Sequence, residues 1–185
     1  FHCGFTMSFE SLLPVLSRYQ LNAEGAGFSY LMMAVGAGAL VSAVGMAGVK
    51  REVTKGRLFL SLGVLSGVMS VLLSVSPNMP MALIAAAGMG MAQAGFMTLT
   101  HTMIQAVTHD SVRGRVGGVY SVHIGGMMAV ANLANGALAD VMNAPILLLV
   151  GGVGFVVAMF LSWYSQTLRQ IYTRGPQSEA HSITS

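Results

Sequence analysis

Residues 79–107 read MPMALIAAAGMGMAQAGFMTLTHTMIQAV, a run without a single Asp, Glu, Lys or Arg. At 1.5 Å per helical residue, such a run exceeds the roughly 20 apolar residues that cross a hydrocarbon core about 30 Å thick. Ser76-Pro77-Asn78 closes it on one side, and the polar segment His109-Asp110-Ser111-Val112-Arg113-Gly114-Arg115 closes it on the other. Working outward, residues 1–17, 25–49, 58–76, 117–139 and 145–164 are five more apolar segments. The expected fold class is therefore an all-α membrane protein. Six transmembrane helices occupy residues 1–168, and residues 169–185 form a polar, disordered tail.

Composition agrees. Hydrophobic residues make up 54% of the chain and charged residues 8%, with mean hydropathy +0.70. A soluble domain carries about 25% charged residues, so a water-facing surface cannot be covered. If every segment spans, the basic residues sort by side. Lys50, Arg51, Lys55, Arg57, Arg113, Arg115, Arg169 and Arg174 share one face, and Arg18 alone lies opposite. Positive loops are retained in the cytoplasm, which puts the C-terminus inside a bacterial plasma (inner) membrane. The same rule accounts for the basic pI, so no nucleic acid is expected as partner; membrane lipid is.

The single Cys3 permits no intramolecular disulfide and no metal-ligand spacing. No metal or cofactor motif occurs. There is no basic segment ahead of the first apolar stretch that would make it a signal peptide. The start at Phe1, with Glu10 and Pro14 interrupting a short first span, reads as a chain missing its N-terminal part.

Small residues recur at four-residue steps: Ala34, Gly38 and Ser42; Gly63 and Gly67; Ala86, Gly90, Ala94, Thr98 and Thr102; Gly117, Ser121, Gly125 and Ala129. Rows of this kind let helix backbones approach closely in lipid. The short connections predict sequential helices packed as antiparallel neighbours, with Asp110 or Ser111 capping the fifth span. Gly27, Tyr30, Gly36 and Ala39 also match Gly117, Tyr120, Gly126 and Ala129 at a constant offset. Spans two and five would cross in opposite directions, as two inverted three-helix repeats require.

Several motifs carry a family resemblance. Ser11-Leu12-Leu13-Pro14-Val15-Leu16-Ser17-Arg18 with Glu24-Gly25-Ala26-Gly27 resembles the seventh helix and outer loop of bacterial major facilitator permeases. Thr102-Met103-Ile104-Gln105, Asp110-Ser111-Val112-Arg113-Gly114-Arg115-Val116 and Tyr120-Ser121 resemble their helix-ten-to-eleven connection. Gly136-Ala137-Leu138-Ala139-Asp140 with Ala144-Pro145 resembles the passage into helix twelve. The chain looks most like the secretion branch that includes the enterobactin exporter. His109 stands where many relatives have Pro, and Glu10 where an uncharged polar residue is usual. The resemblance implies the C-terminal six-helix half of such a permease, whose partner is the missing N-terminal six-helix half or a second copy.

In that architecture the first helix of each three-helix unit lines a central cavity, which selects spans one and four. Glu10 is the one acid within an apolar segment. It reads as a protonatable or substrate-contacting group, or as a carboxylate that reaches the outer interface. Gln93, Met97, Thr100, His101 and Ile104 share one helical face. Amide, hydroxyl and adaptable Met groups suit a loosely fitting amphiphile; interhelical hydrogen bonding is the competing reading. Substrate-cavity candidates are thus Glu10, Gln93, Met97, Thr100 and His101. His123, able to titrate near neutrality, joins Glu10 as a proton-relay candidate, against a reading as a packing residue. Arg113 and Arg115 are assigned to the cytoplasmic turn, and Asp140 to the outer water boundary.

No nucleophile, metalloprotease or phosphate-loop signature suggests an enzyme. The expected function is export of a small amphiphilic molecule, drug or siderophore, by proton-coupled alternating access. The alternatives are a truncated inactive fragment and a self-pairing six-helix membrane protein that transports nothing itself.

Overall fold

The computed structural model describes residues 7–19, 21, 26–48, 52–139 and 142–164. The expectations for Cys3, Asp140 and the tail fall outside these residues. Among them every element is helical: a 3-10 turn, Met7–Leu12, then α1 (Leu13–Tyr19), α2 (Ala26–Ala47), α3 (Glu52–Ser74), α4 (Met79–Val107), α5 (Arg113–Ala139) and α6 (Ala144–Tyr164). Five of these, α2 to α6, are long and apolar enough to cross a membrane.

Local chemistry sets the boundaries. Asn78 takes an extended backbone before α4, and its side-chain oxygen accepts from the Met81 amide at 3.1 Å. Pro80 follows in the first turn, where its missing N–H costs nothing. At the other end Thr108 donates its hydroxyl to the Ile104 carbonyl at 2.6 Å, closing the last turn. Pro145 sits in the first turn of α6, as its sequence position suggests.

The first segment differs from a simple span. Pro14 lacks an N–H and fits the first turn of a helix but not its middle. The chain therefore forms a 3-10 turn up to Leu12 and starts a new short helix at Leu13. Two further helices start earlier than apolar character alone predicts, α3 at Glu52 and α5 at Arg113. Charged Lys and Arg are good helix formers, so the helices run on beyond their lipid-compatible stretches.

The packing corrects the expectation that every sequential pair would be neighbours. The most extensive interface joins α2 to α4, and α3 lies against both α4 and α6. α5 packs chiefly on the 3-10 turn and touches α6 lightly. Glycine decides this arrangement. A Cβ on Gly38 would fall on the Ala87 carbonyl, and one on Gly90 on the Val35 carbonyl. At the α3–α6 crossing, a Cβ on Gly67 would lie 2.9 Å from the Gly152 carbonyl. Backbones this close gain dispersion contacts that lipid does not supply. Ser70 adds a buried interhelical hydrogen bond, donating to the Leu148 carbonyl at 2.9 Å.

Two clusters form the core. Phe9, Leu12, Leu13 and Leu16 pack with Leu31, Val35, Leu73, Ala82, Ala86, Met89, Ala144 and Leu148 toward one end of the bundle. Phe96, Phe155 and Met159 form the other, joined by Phe59 and Val64. There the Phe59 and Phe96 rings lie 4.1 Å apart, and Phe155 meets Phe96 edge-on at 6.1 Å.

Candidate functional site

The last two turns of α4 and the first two of α5 face each other across the five-residue connection 108–112. Between them lies a cavity of about 150 Å³, lined among others by His101, Ile104, Gln105, Arg113, Tyr120 and Ser121. His101 presents its ring edge-on to Tyr120, with centroids 4.6 Å apart and planes at 84°. This pairing places an imidazole beside a phenol at one end of a helix face that also carries polar groups nearer its middle.

That face contains most of the residues the sequence selects. Gln93 is half-buried, and its side-chain carbonyl oxygen is wholly buried without a hydrogen-bond partner among the described residues. Met97 and Thr100 are half-buried one and two turns further on. The Thr100 hydroxyl donates to the Phe96 carbonyl at 2.8 Å, so its hydrogen is engaged within the helix. Thr98 and Thr102 do the same toward Ala94 and Thr98. What remains for a solute is the Gln93 amide, the Met97 thioether, the lone pairs of Thr100 and the His101 imidazole. Ser42 on α2 likewise buries an unpartnered hydroxyl oxygen, where α2 crosses Gly95.

Glu10 is elsewhere. It lies half-buried in the 3-10 turn, between Phe9 and Leu12 of the cluster that reaches α4 only as far as Met89. His101 lies twelve residues beyond Met89, about 18 Å along the helix at 1.5 Å per residue. The cluster around Glu10 thus stops well short of His101 and about one turn before Gln93. His123 is exposed on α5, one turn past Tyr120.

The arginines stand where the connection 108–112 passes into α5. Arg113 and Arg115 belong to the first turn of α5, exposed. Arg113 pairs with Asp110 at 2.7 Å, their side chains 51% and 83% exposed. The Ser111 hydroxyl lies 3.0 Å from His109 Nδ1. Neither Asp110 nor Ser111 therefore serves as the simple cap expected for this helix.

Sequence reasoning picked out His101 but missed its pairing with Tyr120. The signal was available. Gly117 and Ser121 flank Tyr120 one turn apart, so two small residues leave room beside an aromatic just after a tight turn. Among the described residues no three His, Cys, Asp or Glu side chains gather as a metal site would require.

No curated protein and no solved structure matches the chain. A family model described as transmembrane secretion effector matches residues 2–182. That match, over a bundle with five helices long and apolar enough to cross a membrane, gives the affiliation: the chain belongs to the transmembrane secretion effector family of major facilitator transporters.

Proposed function

We propose that this chain is the C-terminal half of a secondary active transporter that exports a small amphiphilic molecule, a drug or a siderophore, by proton-coupled alternating access. The observation that carries the reading is the α4 face: a buried, unpartnered Gln93 oxygen followed by Met97, Thr100 and the His101–Tyr120 pair. A buried polar atom without a partner is costly. A rearrangement that opens this face to a polar solute would supply the partner. Gln93, Met97, Thr100 and His101 form the cavity wall, and Glu10 extends it from the first segment. Glu10 and His123 are the groups that exchange protons. No covalent chemistry is involved and no cofactor is needed, so the chain is not an enzyme.

The proposal includes six spans arranged as two inverted repeats, a C-terminus on the cytoplasmic side of a bacterial inner membrane, and a place in the branch that resembles the enterobactin exporter. It supposes that this half rocks against an N-terminal six-helix half around a midplane cavity. The open faces of α2 and α5 support such a partner, since α5 has no buried residue at all among those described.

The deciding experiment measures proton-gradient-dependent ethidium accumulation in cells lacking their own efflux pumps. The chain is expressed alone and fused behind an N-terminal six-helix half. Lowered accumulation only in the fusion, abolished by an uncoupler, is the expected result. Lowered accumulation by the chain alone would favour a self-pairing transporter. No effect of Gln93→Ala or His101→Ala in an active fusion would remove α4 from the cavity wall.

A further inference from the structure

On the side of the bundle formed by α3 and α6 lies an open groove of about 610 Å³. Its walls include Leu60, Val64 and Val68 from α3 and Met159 and Phe160 from α6, and Arg57 stands at its mouth. Gly63 and Gly67 let α6 approach closely along the floor, where their missing side chains meet Met159 and Val156. Apart from Arg57 and Ser61 the lining is apolar, and the Ser61 hydroxyl is already engaged with the Leu58 carbonyl at 3.0 Å.

Two independent markers put the mouth at the membrane–water interface. On α3 the uncharged run 58–76 begins directly after Arg57. On the antiparallel partner, the uncharged run of α6 closes in sequence with Trp163 and Tyr164, the residue types that settle at headgroup level. From Arg57 to Val68 the groove runs eleven residues, about 16 Å, close to half of a hydrocarbon core roughly 30 Å thick. One leaflet's acyl chain has that reach.

Charge selects the headgroup. Arg57 is exposed, and no carboxylate pairs with it among the described residues. In sequence it follows Lys50, Arg51 and Lys55 against the single acid Glu52. Guanidinium groups bind phosphate through paired N–H donors. We propose that the α3–α6 groove is a binding site for an anionic phospholipid, its acyl chain along Leu60, Val64 and Val68 and its headgroup phosphate at Arg57.

Trp163 is the chain's one tryptophan, on the same helix as Phe160 and three residues on in sequence, which makes it a built-in reporter. The full chain is placed in vesicles of phosphatidylcholine and phosphatidylglycerol in which only one lipid is dibrominated, and quenching of Trp163 fluorescence is followed. If the groove prefers the anionic lipid, brominated phosphatidylglycerol quenches beyond its mole fraction, with a preference of about fivefold, the worth of one basic residue near an anionic surface. Arg57→Gln brings quenching down to the mole fraction, whereas Arg57→Lys keeps most of the preference and Arg113→Gln keeps all of it. Val68→Phe, which fills the inner end, lowers the preference while circular dichroism reports an unchanged helix content. Equal quenching by the two lipids in the unaltered chain would overturn the proposal. So would a preference lost equally in Arg57→Gln and Arg113→Gln, which would mark general attraction of basic loops to anionic lipid.

Discussion

α4 and α5 carry the same kind of small-residue row and do opposite things with it. On α4, Gly88, Gly90 and Gly95 each meet a neighbouring helix so closely that a Cβ would force something to shift: the Met69 side chain at Gly88, the Val35 backbone at Gly90, the Ser42 and Leu62 side chains at Gly95. On α5, Gly114, Gly117, Gly118, Gly125, Gly126 and Gly136 meet nothing within 4 Å. Val119, Val122, Val130 and Leu133 of α5 stand largely exposed as well. A glycine row is thus a permission for close approach, and whether it is used depends on what the tertiary arrangement brings opposite.

The contrast is tested most sharply by adding one methyl group to each row. Gly90→Ala puts a Cβ onto the Val35 carbonyl, and backbone cannot swing aside as a side chain can. Overpacking of this kind costs about 3 kcal/mol, and we expect reversible unfolding in detergent mixtures to show it. Gly125→Ala on α5 meets open space and relieves glycine's poor helix propensity, so it should be neutral or stabilising by up to about 1 kcal/mol. Equal losses for both variants would mean that α5 is covered in the working protein, which the same measurement on a fused N-terminal half should then reproduce.

The next effect lies where α4 turns from packing to solute. Replacing Gln93 by Leu removes a buried oxygen with no partner among the described residues. An unsatisfied buried polar group costs about 1–3 kcal/mol, so Gln93→Leu should raise the unfolding midpoint while lowering ethidium export by the fused transporter. A variant that loses stability would show that the amide is bonded in the membrane. The glutamine would then belong to packing and not to the cavity. Smaller still is Ser70→Ala at the α3–α6 crossing, which deletes the hydrogen bond to the Leu148 carbonyl. Interhelical bonds in membrane bundles are worth about 0.6 kcal/mol, and a correspondingly slight drop in unfolding midpoint is expected.

The same contrast explains what the sequence could convey. The limits of α4 were legible because an Asn-x-Pro start and a charge-free run are local features, and both ends fall where they were read. The face holding Gln93, Met97, Thr100 and His101 was legible from helical period alone. The partners of each row were not, because Gly90 and Gly125 look alike until the opposing helix is known. Tyr120 escaped for the same reason, since its contact with His101 is made across a turn. The position of Glu10 depended on how Pro14 divides the first segment, and on which end of the bundle that fragment then caps. Apolar character marked where α3 and α5 suit lipid and so overlooked the charged turns at their starts.

The smallest predicted effect concerns what fixes α5 in place. The helix begins with Arg113 and Arg115 and has no acid in its first turn, although the positive end of a helix dipole favours anions. Asp110 offsets this by pairing with Arg113, but both side chains are more than half exposed. Exposed pairs are screened and contribute roughly 0.3 kcal/mol. Asp110→Asn should therefore shift the unfolding midpoint barely at all, and less at high salt than at low. A loss approaching that of Gly90→Ala would place the anchor of α5 in its connection to α4. The expected near-silence instead leaves α5 held by the 3-10 turn, by the Tyr120–His101 contact and by light contact with α6. Of the two rows, the helix that is clamped along its length and the one tethered at a few points would then differ in mobility as they do in packing, and α5 is the one with room to move.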